Sequence, residues 1–196
     1  MIFGGGHVGE PSSVGTCSRQ WWESNAGRAM MTTRRLTIVD LAHADVDELV
    51  DMLMDGEIYT FIGDRPASVV DARARVERWL TGSPNPLTRW VNMVARMRDT
   101  DLLVGLCQAT IALNADFTAN DITLAYIVST SFGGRGVGTE MMGAFDAELT
   151  SAYSTAVVTA HIAPGHVASE SIARSLGLSL SGRRDEDGER VWQRGG

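Results

Sequence analysis

Four glycines fall within the six residues Gly133-Gly134-Arg135-Gly136-Val137-Gly138. An apolar run, Leu124 to Ser129, precedes them. A segment with Val137, Met141, Ala144, Phe145 and Leu149 on one helical face follows. The spacing predicts a strand, a tight glycine loop and the start of a helix. Glycine lets the backbone approach a ligand closely, and the first N–H groups of a helix have no internal acceptor. A junction of this kind binds an anion, most often a phosphate.

The type of phosphate ligand is narrowed by what surrounds the loop. A Walker loop needs a lysine on the terminal phosphates, and this chain contains no lysine. A dinucleotide fingerprint needs G-x-G-x-x-G and a later carboxylate for the ribose. Here the glycines are spaced Gly134-x-Gly136-x-Gly138, and the next apolar run ends in Ala160-His161-Ile162 without a carboxylate.

The segment resembles the coenzyme A pyrophosphate loop of the GNAT N-acetyltransferases, Gln/Arg-x-x-Gly-x-Gly/Ala between a strand and a helix. Arg135-Gly136-Val137-Gly138 matches the second half of that pattern, and Gly133 stands where Gln or Arg is usual. Pro164 to Leu178 resembles the family's later segment, with Ala168, Ser169, Ile172, Ala173, Leu176 and Gly177 in register and His166 in place of the usual asparagine. Arg34 to Val39, Phe61-Ile62-Gly63 and Leu103-Val104-Gly105 are similar to N-terminal features of its Rim-type, ribosomal-protein-acetyltransferase-like bacterial branch.

The resemblance implies an acetyl-CoA-dependent N-acetyltransferase that moves an acetyl group directly to a primary amine of a small molecule or a protein N-terminus. Coenzyme pairing along the strand maps to the backbone of Ile127, Val128 and Ser129. An N–H there, assigned to Val128, would polarise the thioester carbonyl. The Gly133 loop would take the pyrophosphate on the amides of Gly134, Gly136, Val137, Gly138 and Thr139, with Arg135 as a further phosphate contact. Ser169 matches a residue near the coenzyme sulfur, and His166 could supply a proton or bond the coenzyme. Glu57, Asp64 and Asp116 border the acceptor cleft in relatives, and none is assigned as the base. Two rival readings are a catalytically degenerate coenzyme-A-binding module and a nucleotide-binding protein of another fold.

Composition bounds these readings. The chain has 196 residues, 44% hydrophobic and 21% charged, with a net charge of −7. No basic face for nucleic acid is expected from such a balance. An acidic protein can attract a cationic amine. Cys17 and Cys107 are far apart, and His161 with His166 lacks a third ligand, so neither a disulfide framework nor a metal site is expected. No apolar run reaches the ~20 residues that span a membrane. A cytoplasmic monomer or homodimer, without a membrane partner, is the expectation.

The elements that must position the loop follow from periodicity. Residues 1–29 are rich in glycine and serine and read as a flexible tail or extension, with 30–196 as the acetyltransferase domain. A strand is expected over Arg34 to Val39. Asp45 is expected to cap a helix with an apolar stripe of Val46, Leu49, Val50 and Leu53. Ser68-x-x-Asp71 resembles a capping box for a helix with Val69, Ala72, Val76, Trp79 and Leu80 on one face, ended by Gly82 to Pro86. Strands follow over Trp90 to Met97 and Leu102 to Leu113, with Gly105 marking a bulge or a close approach. A loop is expected from Asn114 to Asp121, and a strand over Ser154 to Ile162. A helix then begins near His166, and a hairpin turns at Asp187-Gly188. The order β-α-α-β-β-β-α-β-α-β-β implies a mixed α/β (α+β) domain of the GNAT type: a mostly antiparallel twisted central sheet with helices on both faces.

Overall fold

The computed structural model of the chain describes residues 30–154 and 156–195; the expected 1–29 tail lies outside them. Strands β1 (Met30–Thr32) and β2 (Leu36–Asp40) form a first hairpin. Two helices follow, α1 (Val46–Met54) and α2 (Val69–Thr81). Three long strands come next, β3 (Thr88–Met97), β4 (Leu103–Leu113) and β5 (Ala119–Val128). Then come α3 (Val137–Ala152), β6 (Val157–Ile162), α4 (Val167–Ser175), β7 (Ser179–Arg184) and β8 (Arg190–Arg194). The order is the expected one with β1 added. The first expected strand begins two residues later than its pattern suggested, because Thr33-Arg34-Arg35 is spent on the β1–β2 turn.

The eight strands form one sheet in the order β1-β2-β3-β4-β5-β6-β8-β7. All pairs are antiparallel except β5 with β6, which α3 joins as a parallel pair. Helices cover both faces, each with its own apolar cluster. On one face α3 and α4 bury Val137, Met141, Phe145 and Ile172 against Met93, Cys107, Leu124 and Ile162. On the other, α1 and α2 bury Leu49, Leu53, Ala72 and Val76 against Val94 and Leu106. That second cluster lies under β2 to β4, and no helix among the described residues covers the β5–β6–β8 part of this face.

The local signals act as their chemistry predicts, with two refinements. The Ser68 hydroxyl accepts the Asp71 N–H and donates to the Asp71 carboxylate, so the short acid closes on the hydroxyl. Asp45 does not cap α1 with its side chain. Its carboxylate accepts the Ala42 N–H and receives Arg96 at 2.9 Å, a nearly buried pair that ties the α1 entrance to β3. Gly105 meets both sequence readings. The β3–β4 register slips beside it, and an added Cβ would lie 2.7 Å from the Met141 sulfur and 2.8 Å from the Ile127 carbonyl oxygen.

Candidate active site

The parallel pairing of β5 with β6 runs from Asp121↔Val157 to Leu124↔Ala160 and stops. β5 continues against β4 to Val128, while β6 continues against β8 to Ile162. The two strands therefore part beyond Leu124, and β5 is left with one unpaired edge in the middle of the sheet. Successive backbone groups of a strand point alternately to its two neighbours. The Ser129 N–H donates to the Val104 carbonyl at 2.9 Å, and the Ile127 carbonyl faces Gly105, so both residues face β4. Tyr126 and Val128 consequently face the gap. Of the three backbones expected to pair with the coenzyme, those of Ile127 and Ser129 face β4, while that of Val128, with Tyr126, lies at the gap.

The gap opens into a cleft of about 920 Å³ that the glycine loop closes at one end. A short 3₁₀ turn, Thr130–Phe132, leads from β5 into the loop. Gly134 and Gly136 hold φ of +69° and +72°, where a side chain is strained. Gly136 is the N-cap of α3 and supplies no side-chain acceptor. Glu140 N–H is the first to reach a helical acceptor, the Gly136 carbonyl, so the Val137, Gly138 and Thr139 N–H groups precede the internal ladder. Nothing would meet a Cβ at Gly134 within 4 Å, and Gly133, Gly134, Gly136, Gly138 and Thr139 all line the cleft. Gly138 is different. It is buried, and its Cβ would lie 2.8 Å from Ile172 Cδ1 and 3.1 Å from Val128 Cγ2. Gly138 lets α3 close on α4 and β5.

Arg35 locks the loop from behind, which the sequence reading missed. Its backbone N–H and Nε both donate to the Glu140 carboxylate, at 2.8 and 2.6 Å, and Thr33 donates to the same group. The Arg35 guanidinium also donates to the Arg135 carbonyl at 3.0 Å. Despite partial burial, these donors hold the Glu140 carboxyl below its usual range. The Arg135 side chain lies over the Phe132 ring, 5.9 Å from its centroid.

Ser169, buried at the start of α4, and Tyr126 line the cleft together; the Tyr126 hydroxyl donates to the Ser169 carbonyl at 3.4 Å. Burial raises the Tyr126 phenol above its usual range, which keeps it protonated and able to donate. His166 sits at the N-cap of α4 but makes no side-chain cap hydrogen bond. Its ring stacks on Phe61, with centroids 4.4 Å apart and planes at 16°. This contact joins α4 to the loop after α1 across the cleft. Burial pushes the His166 imidazole below its ordinary range, against the pull of Glu170.

Of the three loop acids bordering the cleft in relatives, only Glu57 lines it here. Asp64 pairs with Arg75, and Asp116 caps the β4–β5 turn through Thr118. Acids that the sequence reading did not single out line the cleft instead: Asp185, Asp187 and Glu189 of the β7–β8 turn, beside His161.

A sequence model of the acetyltransferase (GNAT) domain matches residues 35–179. The chain belongs to the GNAT acetyltransferase family. Solved structures share its fold. A ribosomal-protein-S5-alanine acetyltransferase from Vibrio fischeri superposes with a TM-score of 0.70 at 11% identity, covering 85% of this chain and 96% of that one. RimL, a ribosomal L7/L12 alpha-N-protein acetyltransferase, gives 0.67 at 14% identity over 85% and 94%. A GNAT-family acetyltransferase from Bacillus anthracis gives 0.65 at 14% identity over 84% and 94%. No curated protein matches the sequence. Family and fold together set aside the nucleotide-binding protein of another fold. No helix among the described residues is long and apolar enough to cross a membrane.

Proposed function

We propose that this GNAT acetyltransferase uses acetyl-CoA to acetylate a primary amine by direct transfer, in the cytoplasm. One observation carries the reading: the unpaired β5 edge, the glycine loop and the α3 N-terminus line a single cleft. Those groups fit the coenzyme. The Tyr126 and Val128 backbone suits the amide-bearing pantetheine arm. The amides of Gly134, Gly136, Val137, Gly138 and Thr139 suit the pyrophosphate, with Arg35 fixing the loop and Arg135 at its outer side. Bound coenzyme supplies an activated acetyl thioester and a thiol leaving group.

The chain's own residues then act around it. The Val128 N–H donates to the thioester oxygen as negative charge develops there. The Ser169 hydroxyl gives a proton to the departing sulfur, with the Tyr126 phenol as a second donor. Phe61 and His166 close the cleft and exclude water from the thioester. The two ribosomal-protein acetyltransferases among the structural neighbours support a protein N-terminus as one acceptor class, and a small amine is the other.

A screen of peptides with free N-termini, polyamines and amino acids, read by thiol release from acetyl-CoA, tests the reading. At least one amine should turn over, with the acetyl group found on nitrogen. Ser169→Ala should lower single-turnover rate more than acetyl-CoA affinity, by up to ~100-fold. Acetyl-CoA binding without turnover of any amine would favour the degenerate binding module.

A further inference from the structure

His161 follows the last β6 residue paired to β5, at the point where the strands part. Its neighbours Ala160 and Ile162 are buried in the cluster under α3 and α4. Alternation along the strand therefore turns the His161 side chain to the other face, the one no helix covers here. It lies 36% exposed on the wall of the cleft. There its Nδ1 sits 2.6 Å from Asp185 Oδ2.

Asp185 is well anchored for this contact. Its other oxygen, Oδ1, accepts the N–H groups of Asp187 and Glu189, at 3.1 and 2.9 Å, and so builds the β7–β8 turn. One carboxylate thus shapes the turn with one oxygen and orients an imidazole with the other. The His161 contact first, and then the Glu189 and Asp187 backbone donors, hold the Asp185 carboxyl below the usual range, against the opposing effect of desolvation. Glu189 is the third member; ring nitrogen and carboxylate oxygens of His161, Asp185 and Glu189 lie within 4.8 Å of one another. Burial and then Asp185 push the Glu189 carboxyl up. Asp187, the Tyr126 phenol of β5, and Glu57 and His166 complete the titratable groups that line it.

We propose that His161, oriented by Asp185, is the base that takes the proton from the acceptor ammonium, and that the acidic turn draws that cation in. The assignment rests on the transferase reading. Asp185 fixes the Nδ1 end of the ring and leaves Nε2 as the basic nitrogen. An N–H bond of the ammonium breaks, its proton moves to Nε2, and the nitrogen keeps the electron pair. That pair forms the new bond to the acetyl carbon, whose bond to sulfur breaks. The thiolate takes one proton from the Ser169 or Tyr126 hydroxyl, the nitrogen loses a second to the hydroxyl left behind, and His161 returns its own to water. His161 is a catalytic residue in this assignment, and Asp185 is a positioning residue.

The test uses the full chain, acetyl-CoA and two probe amines at pH 7: glycinamide, largely protonated, and hydroxylamine, largely neutral. His161→Gln should lower the glycinamide rate ~100-fold or more, and the hydroxylamine rate far less, because that nucleophile arrives without the extra proton. Asp185→Asn keeps an Oδ1 acceptor for the turn but presents an amide N–H₂ to the ring. It should act in the same direction by forcing the wrong tautomer. Added imidazole should restore part of the glycinamide rate to His161→Gly. By carbon NMR the Asp185 carboxyl should titrate at higher pH in His161→Gln, at an unchanged melting temperature, which reads the pair without turnover. Equal losses with both amines, or none with either, would overturn the assignment while the transferase reading stands. Loss of activity to a chelator, restored by a divalent cation, would give the cluster to a metal and also overturn it. If wild type releases no thiol with these two amines or with any peptide, polyamine or amino acid of the acceptor screen, the assignment and the transferase reading fall together.

Discussion

Gly136 and Gly138 are two residues apart and are small for different reasons. At Gly136 there is room for a side chain, and the obstacle is a φ of +72°. At Gly138 the obstacle is packing against Ile172 and Val128. Gly136→Ala should therefore cost about 1 kcal/mol of backbone strain with α4 undisturbed. Gly138→Ala should cost roughly 1–3 kcal/mol from overpacking and also weaken coenzyme binding, because Val128 must move. Chemical denaturation with coenzyme titration separates the two, and equal effects would show that both glycines serve the same purpose. His166 offers a second test at this scale. Its folded imidazole is held below the unfolded value, so the unfolded chain binds more protons as pH falls through the ordinary imidazole range. The His166 contribution to stability is complete above about pH 6.5 and is lost on acidification toward the lowered value. His166→Asn should flatten the fall in melting temperature between pH 7 and 5. The same variant should keep most activity, since an asparagine still fits the α4 N-terminus.

At the scale of elements, the site is a consequence of one crossover. Joining β5 to β6 through α3 makes the only parallel pair among the described strands, and that pair is short enough to leave β5 exposed beyond Leu124. The Tyr126 and Val128 amides should exchange quickly with solvent in the free protein and become protected when acetyl-CoA binds. Hydrogen exchange read by NMR checks this, and unchanged protection would mean that no ligand strand pairs there. The sequence carried the local half of this arrangement. The glycine loop, the α1 stripe and the Ser68 cap are legible because their causes lie within a few residues. The edge strand β1 was not legible, since three residues carry no period. Nor was the His161–Asp185 pair, which depends on how β6 and the β7–β8 turn meet across 24 residues. The strand backbone was legible only in part: the family resemblance pointed to Ile127, Val128 and Ser129, but which of their backbones face β4 is settled by the Ser129–Val104 bond.

For the whole molecule, one sheet separates two tasks. On the proposed reading, the glycine loop and the free β5 edge take the anionic coenzyme. The uncovered face beside it carries His161 and the acids of the β7–β8 turn, in a chain of net charge −7. Such a division suits a negative donor and a positive acceptor that must meet at the gap between β5 and β6. Salt should therefore raise KM for a cationic amine more than for a neutral one, because screening acts on exposed charges. Initial rates at low and high ionic strength would read it, and equal shifts would remove the charge argument. The central claim is that the β5–β6 cleft holds acetyl-CoA, and the melting temperature of the full chain tests it most directly. A ligand at 100 times its dissociation constant stabilises a fold by ~2.7 kcal/mol, so saturating acetyl-CoA should raise the wild-type melting temperature by several degrees. Gly138→Ala should show a smaller rise. A wild-type melting temperature unchanged by saturating acetyl-CoA would contradict the account.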